Sequence, residues 1–374
     1  YPSIDFVNKD INDIIAEMTA AYEREYEAVT GINIKVQPAS EAKIAINTYS
    51  YILYQERLRR NEALKMNFLP YAKDEYLENL GALFGITRNP AKPSYTRLKF
   101  ILSKPQLSAI TIPKGTRAST SGQIFFKTSD TLTILPGEVE GEVNAQSVAI
   151  GELMNEVGLG DINIIVDPIP FVAKVENTNI PQGGADTEDD ESLRYRIYNH
   201  PDGYSVAGPE SAYSYRVRTF NQSIESVRVT SPAPAEVDIR VTLKGGKIPN
   251  QSFLDSLYEF LSPKDNRPLT DQLTVKAPDT AEYQINLKYY IAKSKINEIE
   301  HIQKNVNNAV DNYISWQGST IGKDIDPDEL NKNIRLAGVK RVEITSPIYT
   351  VITDKDIAVL NGEPFVEFGG LEDD

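Results

Sequence analysis

The sequence contains no cysteine and has only two histidines, His200 and His301, among its 374 residues. Disulfide bonds, thiolate metal sites and cysteine nucleophiles are therefore excluded. Metal sites built on several histidines, including the His-Glu-x-x-His motif, cannot form either. His301 lies within a helical pattern, and His200 precedes Pro201-Asp202-Gly203, which is a turn signature. Both contexts are typical of ordinary histidines, and we expect no catalytic role for either.

Long hydrophobic runs and segregated basic patches are also missing. The longest apolar stretch, Ile162 to Val166, is interrupted by Asn163 and is far shorter than the ~20 residues that cross a bilayer. Acidic residues outnumber basic ones by 53 to 39, which gives a net charge of −14. Such a charge repels phosphate backbones and anionic lipids. We therefore expect neither nucleic acid nor a membrane span among the interactions of this chain.

Phosphate-binding motifs are absent as well. Gly158-Leu159-Gly160 lacks the third glycine of a dinucleotide fingerprint, and Gly245-Gly246-Lys247 lacks the spacing of a P-loop. We therefore expect no cofactor.

The first ninety residues have the periodicity of amphipathic helices. Asp10 is a plausible N-cap of the first helix, which Gly31 ends, and a second helix starts near Ser40. A third stretch runs from Glu75 to Phe84 and is followed by glycine and isoleucine, the pattern of a helix C-terminus. The apolar residues that make the first helix a candidate assembly helix are Ile11, Ile14, Ile15, Met18, Tyr22 and Tyr26.

The hydrophobic period changes twice along the remainder of the chain. Short alternating runs punctuated by proline and glycine predict that residues 95 to 180 are mostly strand. After Asp186, helical and strand patterns alternate. The sequence thus predicts an α+β multidomain protein with an N-terminal helical arm, a central β-rich domain and C-terminal α+β domains. The expected boundaries are 1–92, 93–182, 183–280 and 281–374.

A dense acidic cluster at Asp186 and Glu188–Glu191 has three interpretations. Paired carboxylates serve acid–base catalysis only when their environments differ, and contiguous residues at a helix start are expected to be solvated alike. A calcium loop would need a different spacing. A structural role agrees best, because Thr187 and Asp190 match a capping box and Asp190 to Arg194 forms an i,i+4 pair. Gly183-Gly184 before them predicts a hinge followed by a capped helix.

The segment from Gly183 to Ile197 resembles the signature of the baseplate J-like family, in which Gly-Gly-x-Asp-x-Glu precedes Asp-Glu-x-Leu-Arg-x-Arg. The residues that carry this motif here are Gly183, Gly184, Asp186, Glu188, Glu191, Leu193, Arg194 and Arg196. Further segments resemble the family in the same order along the chain: Tyr76–Gly81, Ile112–Arg117, Glu176-Asn177, Gly208-Pro209-Glu210 and Arg267-Pro268-Leu269-Thr270.

The resemblance implies a non-enzymatic structural role as a baseplate wedge component of a contractile tail, in a phage, a tailocin or a related injection system. Such a protein assembles in the bacterial cytoplasm with other wedge proteins into a sixfold ring around the tube, and relays the trigger to sheath contraction. The implied partners are a second copy of the chain, another wedge protein bound through the N-terminal helices, neighbouring wedges and a sheath initiator.

Two other functions are compatible with parts of the sequence. The abundance of tyrosine, 20 residues, fits a β-rich receptor- or glycan-binding tail protein. The acidic cluster alone would fit a carboxylate-dependent cell-wall hydrolase. The helical start and the late α+β segments favour the wedge component over both.

Overall fold

A computed structural model describes residues 4–7, 10–203, 210–263 and 271–373. The family-like segments Gly208-Pro209 and Arg267–Thr270 lie outside the described residues. Internal contacts divide the chain into two compact units. Unit 1 comprises Tyr1–Arg88 with Asp189–Tyr198, and unit 2 comprises Asn89–Glu188 with Asn199–Asp374. The chain therefore passes between the units three times.

Unit 1 is helical. Its elements are α1 (Ile11–Thr30), α2 (Glu41–Lys65), α3 (Asp74–Ala82) and α4 (Asp190–Tyr198). The side chain of Asp10 accepts hydrogen bonds from the first turn of α1, and Gly31 ends that helix at φ +71°. Ser40 caps α2 by accepting from the backbone N–H of Lys43. These caps lie where the sequence predicts them, because capping depends on residues within one turn of each helix end.

Unit 2 begins with a six-stranded antiparallel sheet in the order β7-β3-β4-β6-β1-β8. Its strands are β1 (Tyr95–Leu102), β3 (Arg117–Ser119), β4 (Phe125–Thr128), β6 (Glu140–Ser147), β7 (Ile164–Ile165) and β8 (Val172–Asn177). The outer strands β7 and β8 lie next to each other, so the sheet curls into a near-barrel. A separate ribbon pairs β2 (Ile110–Ile112) with β5 (Leu132–Ile134). Alternate residues such as Leu98 and Phe100 point inward and are fully buried.

A central α+β segment follows. Its elements are α5 (His200–Gly203), α6 (Glu210–Phe220), β9 (Ile224–Thr230), β10 (Glu236–Leu243), α7 (Gln251–Leu261) and β11 (Gln272–Lys276). The middle strand, β10, pairs antiparallel with β9 and parallel with β11. Helices α6 and α7 supply Tyr213, Val217, Phe253 and Leu257 to the apolar core of this segment.

The last α+β segment has its own core. Its elements are β12 (Asp279–Tyr283), β13 (Asn286–Ala292), α8 (Ile299–Gly318), α9 (Pro327–Leu336), β14 (Arg341–Ser346), β15 (Asp356–Leu360) and β16 (Phe365–Glu372). The sheet order is β14-β13-β16, and β12 pairs parallel with β15. Tyr283, Tyr313 and Leu330 are among the buried residues of this core.

The observed architecture confirms the predicted α+β multidomain fold, with helices first, a β-rich domain next and mixed segments last. Among the described helices, none combines the length and the apolar character that crossing a bilayer requires.

Candidate functional site

The family-like motif is shared between the two units, and its first half belongs to unit 2. Gly183 has φ +84°, and a Cβ there would lie 2.4 Å from the ring of Phe253. A Cβ on Gly184 would lie 2.4 Å from Ser94 Oγ and 2.5 Å from the carbonyl oxygen of Gly151. Both positions therefore require glycine because neighbouring atoms occupy the space of any side chain.

Side-chain amides hold the two glycines in place. Asn155 donates to the carbonyl of Gly184 at 2.8 Å, and its own Oδ1 accepts from the Gly184 N–H at 2.8 Å. Asn221 donates to the carbonyl of Gly183 at 2.7 Å. The glycine pair is thus a close-packed turn anchored on both sides.

The acids that follow occupy different environments. Glu188 is 3% exposed, and its Oε2 accepts from the Asn89 N–H at 2.9 Å. The Glu188 N–H in turn donates to the Asn89 carbonyl at 3.1 Å. Asp186 is exposed and accepts from the Glu152 N–H at 3.1 Å. The expectation that these carboxylates are uniformly solvated is therefore wrong for Glu188.

The second half of the motif forms α4 in unit 1, and its N-cap is Asp189. The Asp189 Oδ1 accepts from the Ser192 N–H at 2.7 Å, and the Asp189 carbonyl accepts from the Leu193 N–H at 3.0 Å. The capping box predicted for Thr187 and Asp190 is not formed. Glu188 is instead held by reciprocal bonds with Asn89, and the helix cap lies at Asp189, two residues after its predicted position.

Asp190 forms its ion pair with Arg88, whereas the predicted i,i+4 partner Arg194 hydrogen-bonds to Glu191 and to backbone carbonyls. Arg88 Nη2 donates to Asp190 Oδ1 at 2.6 Å, and the Asp74 N–H donates to Asp190 Oδ2 at 3.0 Å. The Asp74 backbone N–H, followed by the Arg88 guanidinium, lowers the pKa of Asp190 below its usual value. Asp190 thus joins the start of α3, at Asp74, to Arg88 in the segment that follows α3.

The two arginines of the motif bind backbone carbonyls. Arg194 donates to the carbonyl oxygens of Leu69 at 2.8 Å and Ala72 at 2.7 Å, and it also contacts Glu191. Arg196 donates to the carbonyl of Thr87 at 2.6 Å. Both arginines are less than one-tenth exposed. Their guanidinium groups fix the segments that flank α3, which is a scaffolding role.

The apolar residues of α4 complete a small core in unit 1. Leu193 is fully buried and Ile197 is 5% exposed, and both pack with Leu77 and Ile86. Leu193 and Ile197, which are four residues apart on α4, therefore share this core. Arg88, Asn155 and Asn221 could not be recognised from the sequence as anchors of the motif, since nothing local marks residues whose partners are distant in sequence.

The predicted assembly helix α1 packs against α2 in an antiparallel hairpin. Ile14 is 1% exposed, and Met18 accepts a hydrogen bond from Ser50 of α2. Ile11, Ile15 and Tyr26 are partly buried, while Tyr22 is 39% exposed. Much of the apolar stripe of α1 is thus used within the chain, which leaves α1 a smaller free apolar surface than its sequence suggests.

A larger exposed apolar surface lies on α2. Ile46 and Ser50 are buried on one side of this helix. Ile44, Tyr51 and Ile52, which share another face by their spacing of seven and eight residues, are 61%, 56% and 58% exposed. Tyr49 beside them is 63% exposed. We call these four residues the outer face of α2. Contiguous exposed apolar groups of this kind are typical of surfaces that bind other proteins.

The two histidines have ordinary contacts. His200 Nδ1 lies 3.0 Å from the Tyr215 hydroxyl, and His301 Nε2 lies 3.2 Å from the Asn305 side-chain nitrogen. Within the part of the chain that the structure describes, three or more histidine, aspartate or glutamate residues nowhere gather in a way that could hold a metal ion.

Comparison with known families matches four consecutive segments of this chain. The models are the Baseplate J-like N-terminal domain at residues 42–94, the Baseplate J-like protein barrel domain at 97–184, the Baseplate J-like central domain at 205–277 and the Baseplate J-like protein C-terminal domain at 285–362.

The known proteins that are similar to this chain include one curated relative and one solved structure. Baseplate protein J of Escherichia phage P2 is 30% identical over 203 residues, which are 54% of this chain and 66% of that protein, just under two thirds of its length. A chain in the cryo-EM structure of the anti-feeding prophage (AFP) baseplate, 6-fold symmetrised, aligns over 96% of this chain and 95% of its own length at 13% identity. The TM-score of that alignment is 0.36, too low to support any conclusion about this chain.

Proposed function

The chain belongs to the baseplate J-like family, and on that premise we propose that it is a structural wedge component of a contractile-tail baseplate. The N-terminal, barrel, central and C-terminal domains of the family follow one another along most of the chain, and this succession is the main support for the proposal. In the proposed role the chain assembles with other wedge proteins into a sixfold ring around the tail tube and relays the trigger to sheath contraction. The particle is a phage, a tailocin or a related injection system.

The α1–α2 hairpin is the proposed contact with a second copy of the chain and with another wedge protein. The outer face of α2 supports this assignment. Its four residues, Ile44, Tyr49, Tyr51 and Ile52, are large and exposed, and a contiguous exposed apolar patch of this kind is typical of a surface that binds another protein. Burial of such a face releases roughly 25 cal/mol for each Å² removed from water. The α1 residues named above contribute by positioning α2.

The C-terminal α+β segments are the proposed contacts with neighbouring wedges and a sheath initiator. The fourfold division at residues 1–92, 93–182, 183–280 and 281–374 remains our proposal for the functional domains. Assembly is proposed to take place in the bacterial cytoplasm and to end in the tail baseplate.

A non-enzymatic role is part of the proposal. The acidic cluster was the basis for a cell-wall hydrolase, and its most buried carboxylate, Glu188, is occupied by the backbone N–H of Asn89. Asp189 caps a helix and Asp190 pairs with Arg88. These contacts give the cluster a structural use and favour the wedge role. The receptor- or glycan-binding alternative has no comparable structural observation in its favour.

The proposal is tested by co-expressing the chain with the other baseplate proteins of the same particle. We expect the wild-type chain to co-purify with a second wedge protein, and electron microscopy of complexes from producing cells to show it in a sixfold baseplate. The double variant I44E/I52E should reduce co-purification at least tenfold while its circular dichroism stays unchanged, because two charges on the outer face of α2 oppose burial.

The matched control is A20E, which places the same charge on an exposed position of α1. This variant should co-purify as well as the wild type. Undiminished binding by I44E/I52E would rule out the outer face of α2 as the contact, and absence of the chain from any baseplate particle would rule out the wedge role.

A further inference from the structure

The central sheet of unit 2 has one apolar and one polar face, and its middle strand, β10, is buried on both. Along β10, Val237, Ile239 and Val241 point toward α6 and α7 and belong to the apolar core. The alternate residues point the other way, as strand geometry requires. These are Asp238, Arg240 and Thr242, which are 7%, 7% and 0% exposed.

The neighbouring strand extends the polar face. In the register of β9 and β10, Asp238 lies opposite Thr230, Arg240 opposite Arg228 and Thr242 opposite Ser226. Six polar or charged side chains therefore form a continuous layer on one side of the sheet. Buried charged residues are uncommon unless they are paired. The layer therefore needs a polar cover.

The last α+β segment supplies that cover. The backbone N–H of Ile321 donates to Ser226 Oγ at 3.2 Å. Arg228 Nη2 lies 3.5 Å from Asp354 Oδ2, and Lys355 Nζ lies 3.8 Å from Asp238 Oδ2. Basic and acidic groups from the two segments thus alternate across the boundary.

The apolar cores do not continue across this boundary. The core of the central segment draws its buried members from Tyr213 to Leu261, whereas the core of the last segment draws its own from Tyr283 to Ala358. The two groups share no residue among those described. The segments are therefore joined by this polar layer, by the close approach of Gly246 to the Gly318 backbone and by the polypeptide, and each keeps its own hydrophobic core.

Arg240 connects the charged layer to the chain that links the segments. Its Nε donates to Asp238 Oδ2 at 3.1 Å, and its Nη1 donates to Asp279 Oδ2 at 3.0 Å. The same Nη1 donates to the carbonyl of Ala277 at 3.0 Å. Because β11 ends at Lys276 and β12 begins at Asp279, Ala277 and Pro278 are the whole link. The guanidinium group of Arg240 thus bonds both to Asp238 in the sheet and to Ala277 in the link.

The physical chemistry of this layer favours reversible opening. A buried ion pair adds little net stability, since desolvation offsets much of the Coulomb attraction. Opening the layer would return charged groups to water without separating the members of either hydrophobic core. Asp238 Oδ1 has no hydrogen-bond partner among the described residues. Opening the layer would let this carboxylate oxygen accept a hydrogen bond from water. A hydrophobic joint would have the opposite property, because its opening exposes apolar surface.

We propose that the last α+β segment is a re-orientable module, hinged at Ala277–Pro278 and latched in the observed orientation by Arg240. With the latch closed, Arg240 fixes the link against β10 and its charge compensates the buried Asp238. Without it, Asp238 is left with Lys355 alone at 3.8 Å, and hydration of that carboxylate opens the layer. This inference rests on unit 2 by itself and does not depend on the proposed function.

Because the chain has no cysteine, spin labels attach only to cysteines that are introduced, and a distance between two labels can be measured on the full chain. Cysteines introduced as Q251C in α7 and N308C in α8 occupy exposed positions on either side of the joint. Each receives a spin label, and double electron–electron resonance gives the distribution of distances between them. The doubly labelled parent should have one narrow distribution.

In the same background, R240M should at least double the width of the distribution or add a second distance. D238L/R240M should restore a width no greater than that of the parent, because apolar side chains replace the charged pair and close the joint. The matched control R335M removes an exposed arginine of α9 and should leave the parent distribution unchanged. A parent-width distribution in R240M would overturn the proposal.

Circular dichroism of each variant distinguishes opening of the joint from unfolding. Should R240M fail to fold, R240K decides the question. Lysine keeps the positive charge beside Asp238 but lacks the second group of nitrogens with which the guanidinium of Arg240 also binds Asp279 and the Ala277 carbonyl. A broadened distribution in R240K would support the latch, and a parent-width distribution would overturn it.

Discussion

Arg88 and Asp190, which are 102 residues apart in sequence, form an ion pair of 2.6 Å inside unit 1. The carboxylate also accepts the N–H of Asp74, and Arg88 also binds Glu78 at 2.7 Å. The pair lies beside the residues at which the chain passes between units, at Arg88 and at Asp189. It therefore joins the end of the first segment of unit 1 to the start of the second segment.

Loss of Arg88 should destabilise unit 1. We expect R88M to lower the free energy of unfolding by about 1–3 kcal/mol, because Asp190 loses a charged hydrogen-bond partner in a partly buried site. Chemical denaturation of the full chain measures the loss, and hydrogen exchange should locate it in residues 74–88 and 189–198. The control E78Q removes the more exposed partner of Arg88 and should cost less than about 1 kcal/mol. Equal losses in both variants would contradict the central role of the Arg88–Asp190 pair.

The same pair predicts a pH dependence. The Asp74 N–H and Arg88 hold the pKa of Asp190 below its usual value of 3.8, so the ionised carboxylate stabilises the folded state. This contribution is fully present above the usual pKa and is lost as the pH falls through the lowered pKa. The stability difference between the wild type and D190N should therefore be constant from pH 7 to about pH 5 and shrink below about pH 4. Unfolding curves of both proteins at pH 7 and pH 3 test this, and an equal difference at both would refute it.

The glycine pair provides a steric prediction. G184A should lower the free energy of unfolding by about 1–3 kcal/mol or more, because its Cβ would lie 2.5 Å from the Gly151 carbonyl oxygen, which belongs to the backbone. G122A is the control, since a Cβ there meets only Thr120 Oγ1 at 3.7 Å and the φ angle is ordinary. That change should stay within about 0.5 kcal/mol. Thermal and chemical unfolding both report the difference, and a neutral G184A would show that the turn can move aside.

Neighbouring acids of the motif should respond differently to substitution. E188A should cost about 1–3 kcal/mol, because it removes the buried acceptor of the Asn89 N–H. D189N should cost less than about 0.5 kcal/mol because asparagine caps helices as well as aspartate does, whereas D189A should cost about 1 kcal/mol. Urea denaturation of the three variants measures the order. If E188A proved the mildest of the three, the contact with Asn89 would have no part in stability.

Several features could be predicted from the sequence because their causes are local. The ends of α1 at Asp10 and Gly31 depend on side-chain capping and on a left-handed glycine within one turn of the helix. The strands of the β-rich domain follow from alternation, as at Leu98 and Phe100. The motif from Gly183 to Arg196 identified the family for a similar reason, because residue identities at fixed spacing are visible without a structure.

The N-cap of α4 shows where such reasoning fails. Local rules favoured Thr187 as the cap and Arg194 as the partner of Asp190. The observed partners, Asn89 for Glu188 and Arg88 for Asp190, come from a segment about a hundred residues away. Competition between a local and a distant partner depends on which segments pack together, and periodicity carries no information on that.

What the sequence by itself determined is therefore the order of helices and strands, the exclusion of cysteine chemistry and the family. Tertiary structure alone decided which polar residues are buried. Along β10, the alternation of Val237, Asp238, Ile239 and Arg240 has the form of a strand with one solvated face. The last α+β segment covers that face and turns it into a buried charged layer. The physical reason is that burial depends on what lies against a face, whereas sequence alternation records only that the two faces differ.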